Sequence, residues 1–255
     1  MIAMERRLVL SNEHVLLVED SPELRDLLSV YLTKAGYRLS MTGRGYEALE
    51  LFEQLMPDIV LLDIGLPDLS GFDICREIRG VSNIPIIFIT SRYDSKDIIE
   101  ALRLGGDDYV EKPFDPAVVV ARVQSNLRRS AIFRRNMIEP QTSHPTPVKP
   151  ALSVELRVDP LQQRVQVGSR TILLTFKEMQ LLIQMMDRPG QILTPEELYQ
   201  SVWGSESAGD TRTVLVHISS LRKKLEPAAD SPRFIHNVRG VGYKFHPPES
   251  FAQQS

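Results

Sequence analysis

Ile59-Val-Leu-Leu-Asp63 is the stretch that decides the fold of this chain. Four consecutive apolar residues leave no polar face, and the run stops on a carboxylate. A strand of this kind is covered on both sides, as strands are in parallel sheets whose crossover helices pack on both faces. Outward from it, Val15–Val18 and Ile86–Ile89 repeat the pattern, and Arg38–Met41 and Tyr109–Val110 read as two further strands. Between them Leu24–Ala35, Tyr46–Leu55, Gly71–Ile78, Lys96–Leu104 and Ala117–Leu127 carry helical spacing. Five such units predict a doubly wound α/β domain on a five-stranded parallel sheet, (βα)5. Functional groups of such a domain gather at the carboxyl ends of the strands.

The α/β rhythm ends near residue 130. The stretch 131–150 holds Pro140, Pro145, Pro147 and Pro150, lacks apolar periodicity and reads as an extended linker. A different pattern fills 151–247. Leu152–Val158, Arg164–Val167 and Thr171–Leu174 alternate like antiparallel strands. Thr175-Phe-Lys-Glu178 is a capping-box signature opening a helix, and Thr194-Pro-Glu-Glu197 opens a second with proline at its first position. A third helix runs from Asp210 or Thr211 to about Leu225, and Phe234–Phe245 reads as a hairpin. This is a smaller α+β unit, so the chain of 255 residues divides into a domain over 12–130, a linker, and a domain over 151–247.

The net charge of −3 is unevenly spread. Residues 12–130 carry 20 Asp and Glu against 13 Lys and Arg, a net of −7; residues 151–247 carry 10 against 12, a net of +2. Two different partners are implied, with nucleic acid the candidate for the basic half. The single cysteine, Cys75, excludes an internal disulfide framework and fits a reducing cytoplasm. Its helical setting favours packing over redox sensing. No run approaches the roughly 20 apolar residues of a membrane span, and residues 1–14 lack the pattern of a secretory signal.

Glu19 and Asp20 end the first strand, Asp63 the third and Thr90 the fourth, while Lys112 follows the fifth. All fall at one sheet edge. Three crowded carboxylates raise one another's pKa unless a cation is present, and a hard divalent ion, Mg²⁺, satisfies them together with water and phosphate oxygens. With Lys112 and the Thr90 hydroxyl beside them, the set describes a pocket that accepts a phosphoryl group on a carboxylate. Val15-Leu-Leu-Val-Glu-Asp20, Asp58-Ile-Val-Leu-Leu-Asp63, Leu66-Pro67, Gly71-Phe72 and Asp107-Asp-Tyr-Val-Glu-Lys-Pro-Phe114 together resemble the receiver domain of response regulators. The resemblance implies Asp63 as the phosphoacceptor, with Glu19, Asp20, Asp63 and the Gly65 carbonyl as Mg²⁺ ligands. It also implies Thr90 and Tyr109 as a switch pair, Lys112 on the phosphate, and a cis peptide before Pro113. Phosphate would draw Thr90 inward and free space for the Tyr109 ring. Gly65 and Ser91 depart from the common pattern near the acceptor.

In the second domain Val214, Ile218, Leu221 and Leu225 share one helical face and read as core. The other side shows Arg212, Thr213, Val216, Ser219, Ser220 and Lys223, a face that suits a major groove about 12 Å wide and equally suits the solvated side of an ordinary amphipathic helix. Arg239, before Gly240 in the terminal hairpin, is placed to reach a minor groove. Leu198-Tyr-Gln-Ser-Val-Trp203, Arg212-Thr-Val-Leu-Val-His-Ile, Leu221-Arg-Lys-Lys-Leu and Val238-Arg-Gly-Val-Gly-Tyr-Lys-Phe245 resemble the OmpR/PhoB-type winged helix. Arg222 joins the DNA-facing set on that resemblance. It implies promoter binding as a homodimer, a sensor histidine kinase as phosphodonor, and RNA polymerase as a partner through the Trp203–Asp210 loop. The implied dimer face comprises Ile98, Ile99, Leu102, Asp108, Val118 and Arg122, with Asp108–Arg122 the retained ion pair. Three rival readings remain, one of them a regulator that works mainly through protein partners rather than through DNA. An aspartyl-phosphate hydrolase of the haloacid-dehalogenase type needs a second Asp two residues after the nucleophile, where Gly65 stands. A constitutive DNA-binding regulator would leave the acceptor residues without a task.

Overall fold

The computed structural model describes residues 13–91, 95–138, 156–204, 210–226 and 232–247. In the first domain β1 (His14–Val18), β2 (Arg38–Thr42), β3 (Ile59–Asp63), β4 (Ile86–Thr90) and β5 (Asp108–Glu111) form one parallel sheet in the order β2-β1-β3-β4-β5. Helices α1 (Pro22–Lys34), α2 (Gly45–Leu55), α3 (Gly71–Val81), α4 (Ser95–Arg103) and α5 (Pro116–Ile138) cover it. Val15, Leu17, Ile59, Leu61 and Ile87 face the α1/α5 side, while Leu16, Val18, Val60, Leu62 and Phe88 face the other. This two-sided burial is why those strands carry no polar alternation. Helix α5 continues to Ile138, through 131–138 of the stretch read as linker. The prolines from Pro140 to Pro150 lie outside the described residues.

Local chemistry sets where the helices begin. Ser21 caps α1, its hydroxyl accepting from the Leu24 amide at 3.2 Å, with Pro22 in the first turn. Ser70 caps α3, and the next position tolerates no side chain. A Cβ on Gly71 would stand 2.2 Å from the Asp63 carbonyl oxygen. That close approach holds the loop after β3, and with it Asp63, against the start of α3.

The second domain opens with β6 (Leu156–Asp159), β7 (Arg164–Val167) and β8 (Arg170–Leu173) as an antiparallel sheet, followed by α6 (Phe176–Met186). A two-residue strand, β9 (Ile192–Leu193), then leads through α7 (Pro195–Trp203) and α8 (Arg212–Leu225) to the hairpin β10 (Ile235–Val238) and β11 (Gly242–Phe245). Both expected capping boxes form, Thr175 with Glu178 and Thr194 with Glu197. Periodicity had not marked β9, which is too short to show any. It pairs with β11 because Gly242 lets the chains meet, a Cβ there falling 2.1 Å from the Leu193 carbonyl. Val214, Ile218, Leu221 and Leu225 enter this domain's core as the helical wheel predicts.

The two domains are docked. Helix α8 lies along α4, and Val216 belongs to the same buried cluster as Ile98, Leu102 and Tyr109.

Candidate functional site

The strand ends bring the acidic residues together as expected. One carboxylate oxygen from each of Glu19, Asp20 and Asp63 lies within 4.8 Å of the others. Glu19 is fully buried, Asp63 is 6% exposed and Asp20 faces solvent, so the cluster has a closed floor and an open mouth. Lys112 reaches across it, its Nζ 2.7 Å from Asp63 Oδ2 and 2.7 Å from Glu19 Oε2. Burial pushes the Glu19 carboxyl up, the Lys112 hydrogen bond pulls it down, and Asp63 adds to the rise. Burial works against the Lys112 ammonium, but its bonds to Asp63 and Glu19 outweigh that and hold its pKa above the ordinary lysine value. One ammonium faces three carboxylates. That imbalance, on hard oxygen donors open to solvent, fits a divalent cation.

The Gly65 amide donates to Asp63 Oδ1 at 3.1 Å, and the peptide before Pro113 is cis. A Cβ on Gly65 would meet nothing nearer than Asp63 Oδ1 at 4.0 Å, so the space above the acceptor is open. Thr90 is buried at the end of β4. Arg25, which no motif singled out, donates to the Glu19 carbonyl and to the Asp20 carbonyl at 2.9 Å, and so fixes the backbone of the acidic pair from behind.

Tyr109 connects this pocket to the other domain. Its hydroxyl donates to the Asp210 carboxylate at the start of α8, and Arg212 Nη2 donates to the same hydroxyl at 3.3 Å. Burial first, then this bond, pushes the Tyr109 phenol above the ordinary tyrosine range. The bonds from Tyr109 and the neighbouring Arg212 groups hold the Asp210 carboxyl below its usual value against the cost of burial. Further bonds cross the boundary. Trp203 Nε1 donates to the Asp107 carbonyl at 3.0 Å, Ser125 donates to the Trp203 carbonyl, Arg122 donates to the Tyr199 hydroxyl at 3.3 Å, and the Lys177 amide donates to Asp107 Oδ1 at 3.4 Å. Asp107 is fully buried and held by Arg79 at 2.7 Å.

This docking changes what the expected DNA-facing residues see. Ser219, Lys223 and Arg239 are exposed, and Arg212, Ser220 and Arg222 are partly so. Thr213 and Val216 are instead covered, at 1% and 7% exposure. The wheel places Val216 opposite its own core; that side meets the first domain. Of the six expected dimer residues, Ile98, Leu102 and Asp108 are buried, Ile99 and Arg122 are partly covered, and Val118 is 41% exposed. Asp108 and Arg122 pair within one chain, Nη1 lying 2.8 Å from both carboxylate oxygens. At the far end of α8, Glu226 accepts from the Arg233, Phe234 and Ile235 amides at 2.7, 2.9 and 3.0 Å, tying the hairpin to that helix. The loop expected to meet RNA polymerase falls mostly on 205–209, outside the described residues. Cys75 is buried, its thiol pushed up to about 11 mainly by burial, which suits packing. No helix among the described residues is long and apolar enough to cross a membrane.

Residues 15–124 match the family described as Response regulator receiver domain, and residues 169–245 match Transcriptional regulatory protein, C terminal. The DNA-binding response regulator MtrA of Mycolicibacterium smegmatis is 38% identical over 237 residues, spanning 92% of this chain and 98% of that protein. The sensory transduction protein RegX3 of the same organism is 39% identical over 230 residues, spanning 90% and 97%. Among solved structures, a mutant of RitR superposes with a TM-score of 0.70 at 28% identity, over 93% of this chain and all of that one.

Proposed function

Because this chain belongs to the OmpR/PhoB-type two-component response regulators, we propose that Asp63 takes a phosphoryl group from a sensor histidine kinase and that this releases α8 for promoter DNA. The observation that carries the reading is the convergence of Glu19, Asp20 and Asp63 within 4.8 Å, with Lys112 bonded across them. Glu19, Asp20, Asp63 and the Gly65 carbonyl would hold Mg²⁺, which when bound neutralises charge on the transferring group. The P–N bond of the donor's phosphohistidine breaks as the bond from phosphorus to an Asp63 oxygen forms, and the imidazole nitrogen leaves. Lys112 turns from the Asp63 carboxylate to a phosphoryl oxygen, and the Thr90 hydroxyl donates to another.

With Thr90 drawn inward, the Tyr109 ring follows and its bond to Asp210 is lost. The docked arrangement then gives way, uncovering Thr213 and Val216 for the major groove and Ile98, Ile99 and Leu102 for a second copy of the chain. Arg212, Ser219, Ser220, Arg222, Lys223 and Arg239 complete the DNA-facing set, and RNA polymerase is the expected partner at the promoter. The constitutive alternative requires α8 to read DNA as it stands, and two of its reading residues are covered. The family also places the chain among transcription regulators rather than metabolic enzymes.

Incubation with acetyl phosphate and Mg²⁺ should add one phosphoryl group by intact mass, and Asp63→Ala should abolish the addition. Full labelling of that variant refutes the assignment.

A further inference from the structure

We propose that mild acid undocks the two domains of the unphosphorylated chain by protonating His217, so that the covered side of α8 works as a proton-operated switch. His217 is 1% exposed and is enclosed by residues of both domains. Its one N–H donates to the backbone of Asp107 in the first domain, beside the bond that Trp203 Nε1 makes to the Asp107 carbonyl at 3.0 Å. The Trp203 ring, from its own domain, lies 5.5 Å from the imidazole. The other ring nitrogen, Nε2, is buried without a hydrogen-bond partner. A neutral ring therefore leaves only an acceptor unused. A protonated ring would leave a charged N–H with nothing to accept it, which is the costlier defect.

The charges around the ring add to that cost. From the first domain Arg79 of α3, Arg103 of α4 and Asp107 face it; from the second, Lys177 and Glu178 of α6 and Lys223 and Lys224 of its own helix. Cations outnumber carboxylates, and both carboxylates are engaged. Asp107 is bonded by Arg79 at 2.7 Å and by the Ile86 amide at 2.9 Å, and Glu178 by Lys224 at 2.6 Å and by the Thr175 amide at 2.8 Å. Burial first, and then Lys177, hold the ring neutral with its pKa lowered to about 3. Undocking takes away Asp107 and the α4 wall and lets water reach the imidazole, which then titrates near the ordinary value of about 6.5.

The proton thus belongs to the undocked state and favours it by mass action. The ring's contribution to docking is fully present above about pH 6.5 and fades as pH falls below that. The ratio of undocked to docked chain grows by roughly 1 + 10^(6.5 − pH), about 1.1 at pH 7.5 and about 11 at pH 5.5, a rise of about tenfold. Among the other described histidines, His14 bonds Ser40, and His236 and His246 pack on each other in the terminal hairpin. The inference rests on the docked arrangement and not on phosphoryl transfer to Asp63.

Hydrogen exchange reads the docking equilibrium however small the open fraction. The Lys177 amide stands in the first turn of α6, where a helix offers no acceptor of its own, and it donates to Asp107 Oδ1 across the boundary. Its protection in the full unphosphorylated chain, followed by NMR and corrected for the pH dependence of the free amide rate, should fall about tenfold from pH 7.5 to pH 5.5. The Trp203 indole N–H, bonded across the same boundary, should lose protection in step. His217→Asn keeps an N–H donor near the position of the ring's own and takes no proton in this range. It should keep protection at pH 7.5 and hold it level down to pH 5.5, as should His217→Gln. Level protection in the parent overturns the proposal. So does a fall of the same size in either neutral variant, which would move the proton to Asp107, whose carboxyl burial pushes up. Protection already lost at pH 7.5 in both variants overturns it as well, because the shape of the ring and not its charge would then hold the boundary.

Discussion

Replacing Tyr109 by Phe removes one oxygen from the domain boundary and leaves the ring packed among Ile98, Leu102 and Val216. The lost bond runs from the phenol to the ionised Asp210 carboxylate. Hydrogen bonds to charged groups contribute about 1.5–3 kcal/mol net. Asp210 keeps Arg212 as a partner and its side chain is 25% exposed, so water compensates part of the loss and the lower end applies. A loss of about 1.4 kcal/mol multiplies the undocked population roughly tenfold. Apparent DNA affinity scales with the fraction of chain competent to bind. The unphosphorylated Tyr109→Phe chain should therefore bind a specific promoter fragment about tenfold more tightly than the unphosphorylated parent, by fluorescence anisotropy at one fixed salt concentration. Asp210→Asn should act in the same direction, and the double variant should gain less than the sum of the two, as groups sharing one bond do. If Tyr109→Phe folds, accepts phosphate on Asp63 and yet binds DNA no better than the parent, the phenol is not what holds the domains together.

Three other expectations follow from the same geometry. Val118→Asp puts a carboxylate at an exposed apolar position of the expected dimer face, so the phosphorylated chain should sediment as a monomer while still accepting phosphate; undiminished dimerisation places the interface elsewhere. Arg239→Ala should reduce discrimination between specific and random DNA, whereas Lys223→Ala should weaken both alike and lower the salt slope by about 0.9; equal losses on both DNAs for Arg239→Ala count against a minor-groove role. His217 is held neutral with a pKa of about 3, and the unfolded ring takes its proton near 6.5. The unfolded state thus binds the proton first, so this contribution to stability is fully present above pH 6.5 and is lost as pH falls toward 3, costing about 2 kcal/mol by pH 5. Thermal unfolding of the parent and of His217→Gln across that range checks it; parallel pH profiles exclude the assignment.

What the sequence determined by itself is what neighbours along the chain decide. A strand buried on both faces must be apolar throughout, so Ile59–Leu62 announces a parallel sheet, and strand ends then bring Glu19, Asp20, Asp63, Thr90 and Lys112 to one edge. Capping boxes at Thr175 and Thr194 are legible for a similar reason, since each needs only a hydroxyl and a carboxylate three residues apart. The docking of the domains was not legible. A helical wheel divides α8 into a core side and a free side, and nothing in its pattern distinguishes a side meant for DNA from one resting on α4. Val216 suits both, being small and apolar. Asp210 carries no periodic signal, and its role arises only when Tyr109, about a hundred residues earlier, comes beside it. Contacts between separately folded surfaces depend on shape and charge assembled from distant segments. The tertiary structure therefore had to decide which face of α8 is covered, and with it how the acceptor pocket reaches the DNA-reading helix.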